Sequence, residues 1–429
     1  MDVSLEISIP GSGSTLFSGE SLEFPGALAA LALGPEATRT RVGGGAADIV
    51  VARALDTLPG AAVRSALLER APLAFLEGLW LAAFAAGAAE AVAAVETEAG
   101  LAEGIAALER LGGPALRVAV VPRAFMASED TALIRLLEGR PALASAPRVE
   151  LGGKAAAVFS IEDLVALSHR FAGREAGSLV QVRGAVNRPG LLEVPPGTTL
   201  RSVIFERCGG MRGAKAFKFA LAEGSFIPAD GLDVPATGLI TVGDEGDCVV
   251  DQARRALALT AYENCGICTI CREGSHQLEE LLADASSGET RGTDEALIQE
   301  LGAALREGSL CAIGRRAPDP LLSGLRHFAG DFDAHLKRKR CPALVCRAYV
   351  TFHILGETCT GCGKCLAVCP EGAIEGEEDY IHVIDPGACT RCGLCLDVCP
   401  PEAAAVAKAG ALKPRTPREP IPVGTWKKR

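Results

Sequence analysis

Aromatic side chains are scarce in this chain: Phe, Tyr and Trp together make up 4% of it, with only two Trp and three Tyr. Methionine and histidine are scarcer still than phenylalanine, at three and six residues. A core built on large rings is therefore excluded, and the abundance of Ala and Gly implies small-residue, helix-rich packing. Excess positive charge is also missing. Lys and Arg number 43 against 53 Asp and Glu, a net charge of −10, which argues against a nucleic-acid binder. No apolar run is long enough for a bilayer: the longest, Gly78 to Ala89, is bounded by Glu77 and Glu90. The N-terminus opens acidic with a strand-like run from Val3 to Ile9, so no export leader is expected. No G-x-G-x-x-G follows a clear strand, and Gly11-Ser-Gly13 and Gly43-Gly44-Gly45 read as turns. No acid–base or nucleophile constellation stands out either, which places substrate chemistry in a partner.

What the chain has in quantity is cysteine, sixteen in 429 residues. Without an export leader, and clustered at metal-ligand spacings, they imply cofactor binding in a reducing cytoplasm rather than disulfides. The length predicts three or four domains.

The stretch Cys359 to Pro400 contains C-x2-C-x2-C-x3-C-P twice. A tight loop can turn three thiolates of such a run toward one iron–sulfur cube, while the fourth cysteine ligates the other cube. Cys359, Cys362, Cys365 and Cys399 are thus expected to hold one [4Fe-4S] cluster, and Cys389, Cys392, Cys395 and Cys369 a second. The prolines after Cys369 and Cys399 favour extended backbone there and stop a helix. This register resembles the bacterial two-cluster ferredoxins. The competing reading, a pair of zinc knuckles, would need two separate four-ligand sets.

A third triplet, Cys265-Gly-Ile-Cys268-Thr-Ile-Cys271, follows an amphipathic stretch from Asp251 to Asn264. Further helical stretches are expected over Gln277 to Ala285, Asp294 to Gly302 and Leu321 to His335, a small helical bundle. Cys311 is the natural fourth ligand for this [4Fe-4S] site, and Arg272 reads as structural. Four cysteines then remain. Cys208 reads as a buried apolar residue. Cys248, Cys341 and Cys346, with His335, form a candidate tetrahedral zinc site of three thiolates and one imidazole; the alternative is reduced structural cysteines. Lys337 to Arg340 reads as a solvated basic linker, or as a docking patch for an acidic partner.

Residues 1–175 alternate short apolar runs (Val118 to Val121, Ala156 to Phe159) with helical patterns over Pro72 to Ala94 and Gly104 to Leu111, which predicts an α/β domain. Residues 176–245 open with a strand and turn (Ser178 to Gly190), a second strand (Leu191 to Val194) and a short helix (Leu200 to Arg207), the start of a β-grasp fold. Residues 246–336 are the bundle, 337–405 a linker with the ferredoxin module, and 406–429 a basic, Pro-rich, extended tail.

In this order the pieces resemble the flavin-bearing, NADH-binding subunit of respiratory complex I and the β subunits of electron-bifurcating hydrogenases. The residues that carry the likeness are Arg70-Ala-Pro72-Leu-Ala-Phe-Leu-Glu77-Gly78, Glu129-Asp130-Thr131-Ala132-Leu133 with Leu137-Glu138-Gly139, Phe159-Ser160-Ile161-Glu162-Asp163 and Cys265 to Gly274. The middle segment is similar to the family's soluble-ligand-binding β-grasp module. In the family the bundle cluster takes electrons from flavin. Here the flavin phosphate loop has no counterpart in the first 50 residues, Phe159 and Ser160 replace paired asparagines, and Ser128 replaces a glycine. An added Cβ hinders close approach of backbone to phosphate. These departures imply a degenerate flavin-type domain that has lost FMN and NADH.

The resulting expectation is an electron-transfer subunit of a cytoplasmic oxidoreductase complex, with three [4Fe-4S] clusters, a zinc site and no flavin of its own. Its partners would be catalytic dehydrogenase, hydrogenase or reductase subunits. Two alternatives remain open: an FMN-containing NADH:acceptor oxidoreductase, and a scaffold whose β-grasp module senses a ligand.

Overall fold

The strand Ile49–Ala54 (β1) is built of Val, Ile and Ala with both faces buried, as a central parallel strand requires. In the computed structural model, which describes residues 46–427 except 99, 146–148, 176 and 292–293, together with Ala27 and Ala30, β1 organises the first sheet. The expected strand at Val3 to Ile9 and the glycines at 11, 13 and 43–45 lie outside the described residues.

β1 pairs in parallel with Glu90–Val95 (β2), which pairs in parallel with Ala115–Val120 (β3). On its other edge β1 pairs in parallel with Lys154–Ser160 (β5), whose antiparallel neighbour is Glu150–Leu151 (β4). The order is β3-β2-β1-β5-β4, so the chain leaves β1 toward opposite edges of the sheet. That makes the carboxyl ends of β1 and β5 a topological switch point, where open α/β sheets place ligands.

The helical reading over Pro72 to Ala94 is corrected: the helix spans Pro72–Ala86 and residues 90–95 are β2. Gly87 ends the helix with φ +74°, a left-handed cap that frees the following Ala-Val run to pair with β1. This helix packs on the helix Ile161–Phe171 so closely at Gly78 that a Cβ there would lie 1.9 Å from the Leu164 carbonyl oxygen. Gly78 sets the spacing at this contact, while Phe75 and Trp80 of the same helix are fully buried, so the core holds rings that composition alone did not lead one to expect.

A second five-stranded sheet follows. Ser178–Gly184 (β6) and Gly190–Val194 (β7) form an antiparallel pair, and β6 runs parallel to Gly238–Asp244 (β10). Phe217–Ala222 (β8) and Ser225–Ile227 (β9) complete it in the order β7-β6-β10-β8-β9. The helical turn Ser202–Arg207 lies between β7 and β8, and its Val203 and Ile204 join buried Cys208 in one core.

By their contacts the residues fall into two units: 1–244 with 259–276 and 303–319, and 245–258 with 277–302 and 320–429. Helices span Val249–Glu263, Thr269–Ser287 and Asp294–Gly308. The expected helix from Leu321 to His335 is broken at Phe328 into Asp319–His327 and Ala329–Leu336.

In the second unit Thr351–Ile354 (β11) pairs antiparallel with Val406–Ala409 (β15). Ile374–Glu375 (β12) pairs with Val383–Ile384 (β14), and Tyr380–Ile381 (β13) with Ile421–Pro422 (β16). The expected extended tail from residue 406 takes part in this pairing. It supplies two strands, and its Trp426 packs against Gly356, where a Cβ would lie 2.6 Å from the indole. Among the described residues no helix is long and apolar enough to cross a membrane.

Candidate metal centres

Each cysteine triplet sits in a turn that leads into a helix. Gly363 and Gly393 precede the short helices Lys364–Ala367 and Leu394–Asp397 with φ of +70° and +88°, left-handed values that glycine adopts without strain. The turn brings the third cysteine of each triplet, Cys365 and Cys395, into the core while Cys362 and Cys392 stay exposed.

Three cavities are each lined by four of the expected cysteines. Cys265, Cys268, Cys271 and Cys311 surround one of about 280 Å³, within the first unit. Cys359, Cys362, Cys365 and Cys399 surround one of about 320 Å³. Cys389, Cys392, Cys395 and Cys369 surround one of about 330 Å³. In the second unit each triplet is thus completed by the last cysteine of the other run. Amide hydrogens from Ala373 and Ala405 point at the Cys369 and Cys399 sulfurs, at 3.3 and 3.2 Å.

The thiols fit a multivalent cation. Burial and then the neighbouring cysteines push Cys365 and Cys395 up to about 11 and Cys271 up to about 12. A bound iron centre would supply the positive charge that four converging thiolates lack. Gly314 matters here, because a Cβ on it would lie 2.9 Å from the Cys271 sulfur. Arg272 braces the same loop, donating to the Gly266 carbonyl (2.9 Å) and pairing with Glu273 (2.8 Å). Arg391 donates to the Arg347 and Ala348 carbonyls, while Lys364 remains exposed.

Cys248, His335, Cys341 and Cys346 form a fourth cluster, all buried, with ligating atoms within 4.8 Å of one another. Cys248 Sγ lies 3.8 Å from Cys346 Sγ and 3.4 Å from His335 Nε2, and Cys346 Sγ lies 3.5 Å from that nitrogen. A tetrahedral zinc, with bonds of about 2.3 Å to sulfur and about 2.0–2.1 Å to nitrogen, would space sulfurs by about 3.8 Å and sulfur from nitrogen by about 3.5 Å. The four groups fit that ion. His335 Nδ1 is 2.7 Å from the Asp331 carbonyl, which fixes the tautomer and turns Nε2 toward the sulfurs. Burial opposes the charged ring, yet interaction with the Cys248 and Cys341 sulfurs holds its pKa up at about 10. Nearby, Lys337 pairs with Glu295 (2.8 Å) and Arg338 with Asp333 (2.6 Å), so the first two residues of this basic run are paired within their own unit.

At the switch point between β1 and β5 several polar side chains bond to backbone and to one another. Asp56, 3% exposed, accepts hydrogen bonds from the amides of Arg64 and Ser65 (both 3.0 Å) and from the Ser65 hydroxyl (2.6 Å) at the start of the helix Val63–Arg70. Arg64 in turn pairs with Glu162 (2.9 Å), on the helix that follows β5. Arg53 pairs with Asp130 (2.8 Å) and donates to the Ser128 carbonyl (3.0 Å). At this helix end a carboxylate already accepts from two of the amides that a phosphate would otherwise use. Sequence reasoning passed over Asp56, which caps a helix starting several residues further on. It also passed over His382, which lines the cavity of Cys359, Cys362, Cys365 and Cys399; alignment of the two ferredoxin runs would have exposed it.

Comparison with known proteins adds the following. Residues 251–335 match the NADH-ubiquinone oxidoreductase-F iron-sulfur binding region, 358–403 a 4Fe-4S dicluster domain, and 179–225 an SLBB domain. NADP-reducing hydrogenase subunit HndC of Solidesulfovibrio fructosivorans is 33% identical over 292 residues, 60% of this chain and 60% of that protein. The NADH-quinone oxidoreductase F protein of Mycobacterium tuberculosis is 30% identical over 257 residues, 51% of this chain and 56% of that protein. A chain of the NAD+-reducing [NiFe]-hydrogenase in the H2-reduced state superposes with a TM-score of 0.60 at 25% identity, covering 73% of this chain and 62% of that one. The chain thus spans less than two thirds of the length of these relatives.

Proposed function

This chain belongs to the family of NADH-quinone oxidoreductase F proteins and HndC-like hydrogenase subunits, and on that premise we propose that it is an electron-transfer subunit of a larger oxidoreductase complex, carrying three [4Fe-4S] clusters, one zinc ion and no flavin. The observation that carries the reading is the sorting of twelve cysteines into three cavities of four.

When bound, such clusters accept and release single electrons at potentials set by their surroundings. The chain's own residues do the setting. Cys271, Cys365 and Cys395 are buried, which removes water from one side of each site. The Ala373 and Ala405 amides lend hydrogen bonds to Cys369 and Cys399, which favours the more negative, reduced state. Glu129 adds negative charge near Cys311 and opposes it there.

The loss of flavin is supported by the Asp56 carboxylate at the helix end and by the Arg64–Glu162 pair across the crevice. Zinc at Cys248, His335, Cys341 and Cys346 would be structural, since four protein ligands leave no open position. Catalytic subunits such as a hydrogenase or dehydrogenase would then supply and take the electrons. Visible absorbance tests this. Dithionite is expected to bleach the purified chain fully, and NADH alone to leave it unchanged. Bleaching by NADH would contradict the reading and place a flavin in this chain.

A further inference from the structure

The ferredoxin segment is an internal repeat, and its two cavities can be compared position by position. Ile354 stands five residues before Cys359 and Ile384 five before Cys389, and each lines the cavity of the triplet it precedes. Ala373 and Ala403 follow Cys369 and Cys399 by four residues and likewise occupy matching places. Phe352 and His382 stand seven residues before Cys359 and Cys389. Like the fourth cysteines, these two cross over. Phe352 lines the cavity of Cys389, Cys392 and Cys395, and His382 that of Cys359, Cys362 and Cys365.

The repeat is therefore broken at one matched pair, a phenyl ring at one site and an imidazole at the other. His382 is 1% exposed, so it is not a surface residue that happens to border the cavity. Its placement is tightly set. Gly376, with φ +149°, comes so close that a Cβ there would lie 2.7 Å from the ring's Cδ2.

We propose that His382 is a positioning residue for electrons, raising the potential of the site of Cys359, Cys362, Cys365 and Cys399 above that of its repeat partner. The inference rests on the reading that these quartets hold clusters. A cluster with four thiolates is net anionic and becomes more so on reduction. A neutral imidazole has one N–H, and a neighbouring anion favours the tautomer that directs it inward. The Tyr380 carbonyl competes for that hydrogen, but a single carbonyl attracts it less than an anionic cluster does. Phenyl offers no such donor, so the phenyl-lined site lacks this stabilisation of its reduced state. The ring need not change its protonation for the effect.

The test uses the full chain, loaded with iron anaerobically, and potentiometric titration followed by electron paramagnetic resonance. His382→Phe is expected to shift one ferredoxin signal to lower potential, with at least a tenfold fall in its reduced-to-oxidised ratio, about 59 mV for a one-electron couple. The other signal should stay in place. Phe352→His puts a smaller ring at the matched position and should raise the other signal, so the idea remains testable if the first variant misfolds. Unchanged midpoints in either iron-loaded variant, or equal shifts of both signals, would overturn the inference. Wild-type protein that binds no iron would instead overturn the reading beneath it, and the inference with it.

Discussion

Arg64 and Glu162 form an ion pair of 2.9 Å between the helices that follow β1 and β5, across the crevice where a doubly wound sheet places its nucleotide. Arg64 also donates to the Leu55 carbonyl, and its own amide is held by Asp56. Polar side chains thus bond one another across the crevice, while Glu162 Oε2 and Arg53 Nε are buried with no hydrogen-bond partner among the described residues.

Asp56 is expected to be a stability residue. Asp56→Ala removes the acceptor for two helix-end amides and the Ser65 hydroxyl, at a cost of about 1–2 kcal/mol. Chemical denaturation should show a lower midpoint, while iron content stays at the wild-type level. An unchanged midpoint would mean that the carboxylate contributes nothing to holding this helix end.

The fourth metal site makes a separate claim. Wild-type protein should contain about one zinc per chain, and Cys341→Ser should lose it while keeping its iron. The melting temperature should fall in the variant, because zinc-binding energy is folding energy. Plasma emission analysis that finds no zinc in iron-replete protein would remove this site from the account.

The exchange of fourth cysteines predicts an asymmetric loss. Cys369→Ala should abolish the signal of the cluster assigned to Cys389, Cys392 and Cys395, although Cys369 belongs to the other run. Iron should drop from about twelve toward about eight per chain. Loss of the other cluster instead would mean that each run keeps its own four ligands.

The end of the chain is expected to matter for the ferredoxin core. Trp426 packs against Gly356, and β16 pairs with β13 beside Asp379, whose backbone leaves no room for a Cβ on Gly361 in the first cysteine loop. Trp426→Ala should cost roughly 1.5–3 kcal/mol. It should also speed bleaching of the iron chromophore in air. A variant as stable in air as wild type would show that the indole only decorates the surface.

The cysteine quartets were legible in the sequence because ligation is written at short spacings, Cys359 to Cys365 and Cys389 to Cys395. The zinc candidate was legible by elimination, once the other cysteines had partners. The strand Glu90–Val95 was not, because an Ala-Val run suits either helix or strand, and only its parallel pairing with β1 decides. The same limit hid Asp56, which caps a helix from a distant turn, and Trp426, whose partner lies 70 positions earlier. The break at Phe328 reflects packing on both sides of it and has no Pro or Gly at that residue to announce it.

The central claim is an iron–sulfur relay without a flavin, and cofactor stoichiometry of anaerobically purified protein tests it most directly. The account predicts about twelve irons per chain and no flavin fluorescence after denaturation. Colourless, iron-free protein, or stoichiometric FMN, would contradict it.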